Sequence, residues 1–157
     1  MNVVNPNPVI YSSTQYSRAV KDDLDSPERE PIDSIEIYEH IKDIMDPEHP
    51  LTLEKLRIVK PDDISVDDNR GSVSVIFTPT VPNCSLPAIL GLCIREKLVR
   101  VLPQRFRSNI FVKIAPGTHI NEEAINRQLR DKERCLAALE KDSLRMTIEK
   151  CLDGIEA

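Results

Sequence analysis

The stretch Phe77-Thr78-Pro79-Thr80-Val81-Pro82-Asn83-Cys84-Ser85-Leu86-Pro87-Ala88-Ile89-Leu90-Gly91-Leu92 decides how this sequence folds. It reads as a β-strand that leaves through a proline-marked turn and sets one cysteine just ahead of an apolar helix. Pro87 is tolerated in the first helical turn, where its missing N–H has no intrahelical partner, and Ser85 can cap. Leu86, Leu90, Ile94, Leu98 and Val101 then form one broad stripe, with Ile89, Leu92, Val99 and Leu102 over much of the rest. The spacing predicts a largely buried helix that Pro103 ends.

Upstream, Val73, Val75 and Phe77 alternate with Ser72, Ser74 and Ile76. Ile58-Val59, Ile64 and Val66 alternate before the turn Asp67-Asp68-Asn69-Arg70-Gly71. Two period-two runs around a glycine turn predict a β-hairpin with one buried face. Asp33-Ser34-Ile35-Glu36 has the form of a capping box, and Ile37, Ile41, Ile44 and Met45 continue it as an amphipathic helix that stops before Pro47. Downstream, Ser108 to Ala115 reads as a third strand ending at Pro116-Gly117-Thr118-His119. Two helices follow, one carrying Ile125, Leu129, Leu136 and Leu139, the other Leu144, Ile148, Cys151, Leu152 and Ile155. The expected fold class is α+β: a small three-stranded mixed sheet covered by helices, in the order α-β-β-α-β-α-α.

The chain has 157 residues, enough for one core and too few for two ordinary domains. Residues 1–31, rich in Asn, Pro, Ser and Asp, read as a disordered N-terminal tail in which Tyr11 and Tyr16 are the candidates for a short binding motif. Residues 32–157 read as a single α+β domain. No run of apolar residues reaches membrane-spanning length and no secretory leader is legible, so a cytoplasmic and nuclear location is the expectation. With 40% hydrophobic and 30% charged residues the chain fits a water-soluble protein. Its net charge of −5 and 4% aromatic content argue against a nucleic-acid module, which needs a basic stripe and rings to stack on. Between Arg95 and Lys113, however, six basic residues face one acidic residue. Arg95, Lys97, Arg100, Arg105 and Arg107 are therefore the candidates for a partner-binding face.

A strand, crossover helix and second strand in one sheet lie parallel, so the strand ending near Thr80 and the strand ending at Ala115 finish on one edge, with Cys84 and His119 in neighbouring loops. A thiol just ahead of a helix N-terminus meets unpaired amides and the positive end of the dipole, which favour the thiolate. Of the four cysteines, Cys93 and Cys151 fall on buried stripes and Cys135 stands beside Arg134 on a charged helix without a partner, which leaves Cys84 as the reactive candidate. No C-x-x-C pair is present. Three chemistries fit this edge. A cysteine enzyme or sulfur carrier would use Cys84 with His119 as base. A metal or iron-sulfur centre would need three or four ligands, and only Cys84 and His119, with Asp46 or His49 as a further candidate, could converge, so no tightly bound cofactor is expected. A docking or carrier thiol needs only Cys84.

Five stretches carry a resemblance: Asp46-Pro47-Glu48-His49-Pro50-Leu51-Thr52-Leu53-Glu54, Phe77 through Ser85, Leu102-Pro103-Gln104-Arg105-Phe106, Pro116-Gly117-Thr118-His119, and Asn126-Arg127-Gln128-Leu129-Arg130-Asp131-Lys132-Glu133-Arg134. Over residues 32 to 152 the sequence resembles the small targeting subunit of the eukaryotic cytosolic iron-sulfur protein assembly machinery, a family also associated with a mitotic-spindle complex. The resemblance implies a non-enzymatic adaptor that works with a WD-repeat propeller protein and a large helical-repeat scaffold. Such an adaptor delivers clusters to cytosolic and nuclear apoproteins and is linked to chromosome segregation. It implies that Cys84 is the reactive or cluster-contacting thiol. At most a transient iron-sulfur cluster is expected, with no membrane or direct nucleic-acid binding, and a homodimer is left open. Leu102 through Phe106 and Pro116 through His119 look more like the general-targeting branch; Leu92-Cys93-Ile94-Arg95 looks more like the branch devoted to iron-regulatory protein. Asn83 stands where many animal members have histidine, and Ser85 where bacterial relatives have proline.

Overall fold

A computed structural model describes residues 31–47, 49, 51–80 and 86–153. The 1–30 portion of the tail, the Cys84 elbow at residues 81–85, and Ile155 lie outside the described residues. Helix α1 (Ser34–Ile41) is followed by strands β1 (Ile64–Asp67) and β2 (Ser72–Phe77), helix α2 (Leu86–Val101), strand β3 (Ile110–Ile114), and helices α3 (Glu122–Arg130), α4 (Lys132–Leu139) and α5 (Asp142–Asp153). Short 3-10 turns at Pro61–Asp63 and Gln104–Phe106 join them.

The sheet has the order β1-β2-β3. β1 and β2 run antiparallel with Val66 opposite Val73; β2 and β3 run parallel with Val73 opposite Ile110 and Phe77 opposite Ile114. Alternation puts Val73, Val75 and Phe77 beside Ile110, Val112 and Ile114 on the buried face. The other face carries Ser72, Ser74, Ile76, Phe111 and Lys113. Helices α1, α2 and α3 pack against the strands. At the α2–α3 crossing Gly91 admits a close approach: a Cβ there would stand 2.5 Å from Leu129 Cδ1. The hairpin turn needs Gly71 in the left-handed region, at φ 66°.

Asp68 organises this end of the sheet. Its Oδ1 accepts the Ile32 N–H at 3.0 Å and the Arg105 guanidinium at 2.7 Å, and its carbonyl accepts a second Arg105 N–H. The chain therefore enters the domain beside the hairpin, and the loop after α2 is fastened to the same residue.

Three elements differ from expectation. The predicted N-cap forms, with the Glu36 N–H on Asp33 Oδ1, but α1 ends at Ile41. Ile44 and Met45 leave the helix because Met45 pairs with Thr52 in an isolated bridge and its N–H donates to the Cys151 carbonyl at 2.9 Å. Ile58 and Val59 are buried without being strand, since Pro61 opens a 3-10 turn before β1. The expected single helix through Ile125 and Leu139 is two: Asp131 adopts φ −86°, ψ 104°, and its carboxylate accepts the N–H groups of Glu133 and Arg134 as the cap of α4. The observed order is thus α-β-β-α-β-α-α-α, one helix more than the apolar spacing predicts.

Candidate functional site

Parallel pairing of β2 with β3 makes the connections after Phe77 and after Ile114 leave from one sheet edge. Cys84 itself lies outside the described residues, between Thr80 and the start of α2. On the β3 side the Pro116–His119 turn is tied internally. The Thr118 hydroxyl donates to the Ala115 carbonyl at 2.6 Å, and the Gly117 N–H donates to Glu122 Oε2 at 2.9 Å. The Ile114 N–H, on the outer edge of β3, donates to Asn126 Oδ1 at 2.8 Å. Asn126 and Glu122 of α3 thereby hold the loop that presents His119.

His119 is 7% exposed and its Nδ1 accepts the Asn121 N–H at 2.9 Å. In the neutral ring this places the proton on Nε2, so the imidazole can donate to a thiolate but has no ring nitrogen left to take a thiol's proton. Residues His119 through Ala124 and Arg127 border an open cleft of about 440 Å³ at the start of α3.

Asp46 and His49 sit in a tight hairpin. The Asp46 N–H donates to the Leu51 carbonyl at 2.9 Å, the Leu51 N–H to the His49 carbonyl at 2.8 Å, and the His49 N–H to Asp46 Oδ2 at 2.8 Å. The Ile58 carbonyl accepts the Thr78 N–H at 2.8 Å, which joins the end of this segment to the exit of β2. His49 is 7% exposed and its Nε2 has no hydrogen-bond partner among the described residues. The Asp46 carboxylate acts on a different pair of thiols, Cys93 of α2 and Cys151 of α5.

Cys93 and Cys151 are buried on two helices that pack together. The neighbouring Cys151 and burial push the Cys93 thiol up, whereas the neighbouring Cys93 draws the Cys151 thiol down. The apolar spacing places both among the core residues, as found, but not against one another. No periodicity reveals which faces of two helices far apart in the chain will meet. Cys135, expected without a partner, is instead buried with its Sγ 3.6 Å from the Gln128 and Leu129 carbonyls. Its S–H serves the last turn of α3, where helical carbonyls lack N–H partners. Burial pushes this thiol up, and the Arg95 charge partly offsets that.

The expected basic face is dispersed. Arg95 is 8% exposed, its helix face turned into the core. Arg100 is bound to Glu96 at 3.1 Å and to Glu149 of α5, and Arg105 to Asp68. Lys97 is half-buried, while Arg107 and Lys113 are exposed. Of the five candidates, Arg95, Arg100 and Arg105 are thus committed to the core or to intramolecular ion pairs.

Residues 35–112 match a family model described as iron-sulfur cluster assembly protein. Protein AE7 of Arabidopsis thaliana is 47% identical over 98% of either chain. The MIP18 family protein galla-2 of Drosophila melanogaster is 45% identical over 96% of this chain and 95% of its own. The cytosolic iron-sulfur assembly component 2B of Mus musculus is 46% identical over 96% and 91%.

Proposed function

Because this chain belongs to the iron-sulfur cluster assembly protein family, also named MIP18, we propose that it is an adaptor of cytosolic iron-sulfur protein maturation, with Cys84 as its reactive or cluster-contacting thiol. The observation that carries this reading is similarity over nearly the whole chain to proteins named cytosolic iron-sulfur assembly component 2B. The parallel β2–β3 pair supports it, since the connection holding Cys84 starts from the edge where the His119 loop starts.

The iron-sulfur cluster is cargo in this proposal. The sequence offers few ligands beside Cys84, so further ones would come from a second copy, a partner or a small thiol. We place the protein in the cytoplasm and nucleus, in an assembly with a WD-repeat propeller protein and a large helical-repeat scaffold. There it hands clusters to apoproteins, those serving chromosome segregation among them. Arg107, Lys113 and the half-buried Lys97 remain available for partner contact. The reading is of a binding protein without turnover. A sulfur carrier using Cys84 with His119 is weakened by the ring's tautomer, because Nδ1 is already an acceptor.

Affinity isolation of the tagged chain tests the assembly: recovery of both a propeller and a helical-repeat protein is expected. A clean isolation that lacks both would overturn the adaptor reading.

A further inference from the structure

On the outer face of the sheet, turned from the core, Ser65, Ser74 and Phe111 stand in one row across β1, β2 and β3. Ser72 opposite Asp67 lies on one side of that row, and Ile76 opposite Lys113 on the other. Phe111 is 47% exposed. Among the described residues the other exposed large apolar side chains, Ile120, Leu136 and Met146, lie in a turn and on helices, so Phe111 marks the sheet. Lateral neighbours on a pleated face stand about 4.5–5.5 Å apart, and small serine side chains there leave a shallow floor beside the ring. An apolar group laid on that floor would take the ring out of water.

We propose that this face is the docking surface for a segment of the chain's own N-terminal portion, Val9-Ile10-Tyr11, which packs against Phe111. The chain enters the described domain at the hairpin end of the same sheet, where the Ile32 N–H donates to Asp68 Oδ1 at 3.0 Å. Tyr11 lies 21 residues ahead of Ile32. A coil of that length spans about 25 Å on average, more than the width of three strands set about 4.8 Å apart. The tether therefore reaches Phe111 without full extension and holds the triplet near the face at an effective concentration on the order of millimolar. Val9, Ile10 and Tyr11 are consecutive β-branched and aromatic residues, the types that fit a pleated surface. Charge agrees with this occupant: residues 22–30, between the triplet and Ile32, hold five acidic residues against one basic, and the face they cross carries the exposed Lys113. A second copy fits less well, because a three-stranded face four to six residues long falls short of the about 800 Å² per partner that a stable interface buries. A partner that uses Lys113 then has to displace the segment, which makes it a removable cover.

The test is photo-cross-linking in the full chain, with p-benzoylphenylalanine in place of Phe111 and nitrogen-15-labelled protein mixed with unlabelled protein before irradiation. Peptide mapping is expected to find position 111 joined to the peptide that holds Val9, Ile10 and Tyr11, with both halves labelled or both unlabelled. Tyr11→Ser in the same chain should lose most of that product. The photoreactive residue in place of Tyr11, with Phe111 intact, should give the reciprocal link to β2 or β3, and it decides the matter should the position-111 variant fail to fold. Links that pair labelled with unlabelled halves would show a second copy on the face and overturn the proposal. Links to other parts of the chain, or none from folded protein, would overturn it as well.

Discussion

At the carboxyl edge of the sheet, two parallel strands end in register at Phe77 and Ile114 and pass the chain to loops. At the α2–α5 interface, two helix faces meet and enclose the thiols of Cys93 and Cys151. The first arrangement is a matter of topology and sets a thiol ahead of a helix N-terminus. The second is a matter of packing and hides its thiols from solvent. The same residue type is therefore proposed as the reactive thiol in one region and serves as a buried core residue in the other.

Alkylation under native conditions should separate the two regions most sharply. Cys84 is expected to react with iodoacetamide while Cys93, Cys135 and Cys151 stay protected until the protein unfolds, as differential labelling and mass spectrometry would register. Equal rates at Cys84 and Cys151 would dissolve the contrast.

Next in size is Gly91→Ala. The new Cβ would meet Leu129 Cδ1 at 2.5 Å and Cδ2 at 2.8 Å, and Leu129 is itself buried. A loss of about 1–3 kcal/mol is expected in denaturant unfolding, the usual cost of overpacking. An unchanged midpoint would mean that α3 yields freely, and with it the His119 loop that Asn126 and Glu122 hold.

Asp68→Ala comes third. It removes the acceptor shared by Ile32 and Arg105, at the sheet end opposite the Cys84 connection. Partly exposed partners limit the loss to about 1–2 kcal/mol, and the native reactivity of Cys84 should stay as it was.

The smallest effect belongs to the Arg100–Glu149 clamp. The Arg100 guanidinium holds the Glu149 carboxyl below its ordinary value. A depressed carboxylate contributes stability above its unfolded pKa and loses it as pH falls through the folded one. Glu149→Gln should therefore lower stability near neutrality by no more than about 1 kcal/mol, given the exposure of the pair, and make no difference once acid protonates Glu149 in both states. A wild-type-to-variant difference that persists unchanged into acid would show that packing, not charge, is at work.

Much of the carboxyl edge is legible in the sequence. Ser72 through Val75 alternate strictly, the turn at Gly71 is marked, and one crossover helix between strands dictates the parallel β2–β3 pair. What escapes is decided by tertiary contact. Ile44 and Met45 keep helical spacing yet serve the bridge to Thr52 and the α5 carbonyl. Asp131 sits in a charged run that reads as a helix surface, and only its capping geometry reveals the break. The basic residues from Arg95 to Lys113 look like one face when counted along the chain. The helix turns Arg95 inward, and Glu149 and Asp68 take Arg100 and Arg105.

The most direct measurement of the central proposal is anaerobic iron-sulfur loading of the chain and of Cys84→Ser, read by visible absorbance and by the mass of the assembly. Cluster bands in the wild type that disappear in Cys84→Ser, with Cys93 and Cys151 intact in both, are the expected result. Bands of undiminished intensity in Cys84→Ser would contradict the assignment of Cys84 as the thiol that meets the cluster.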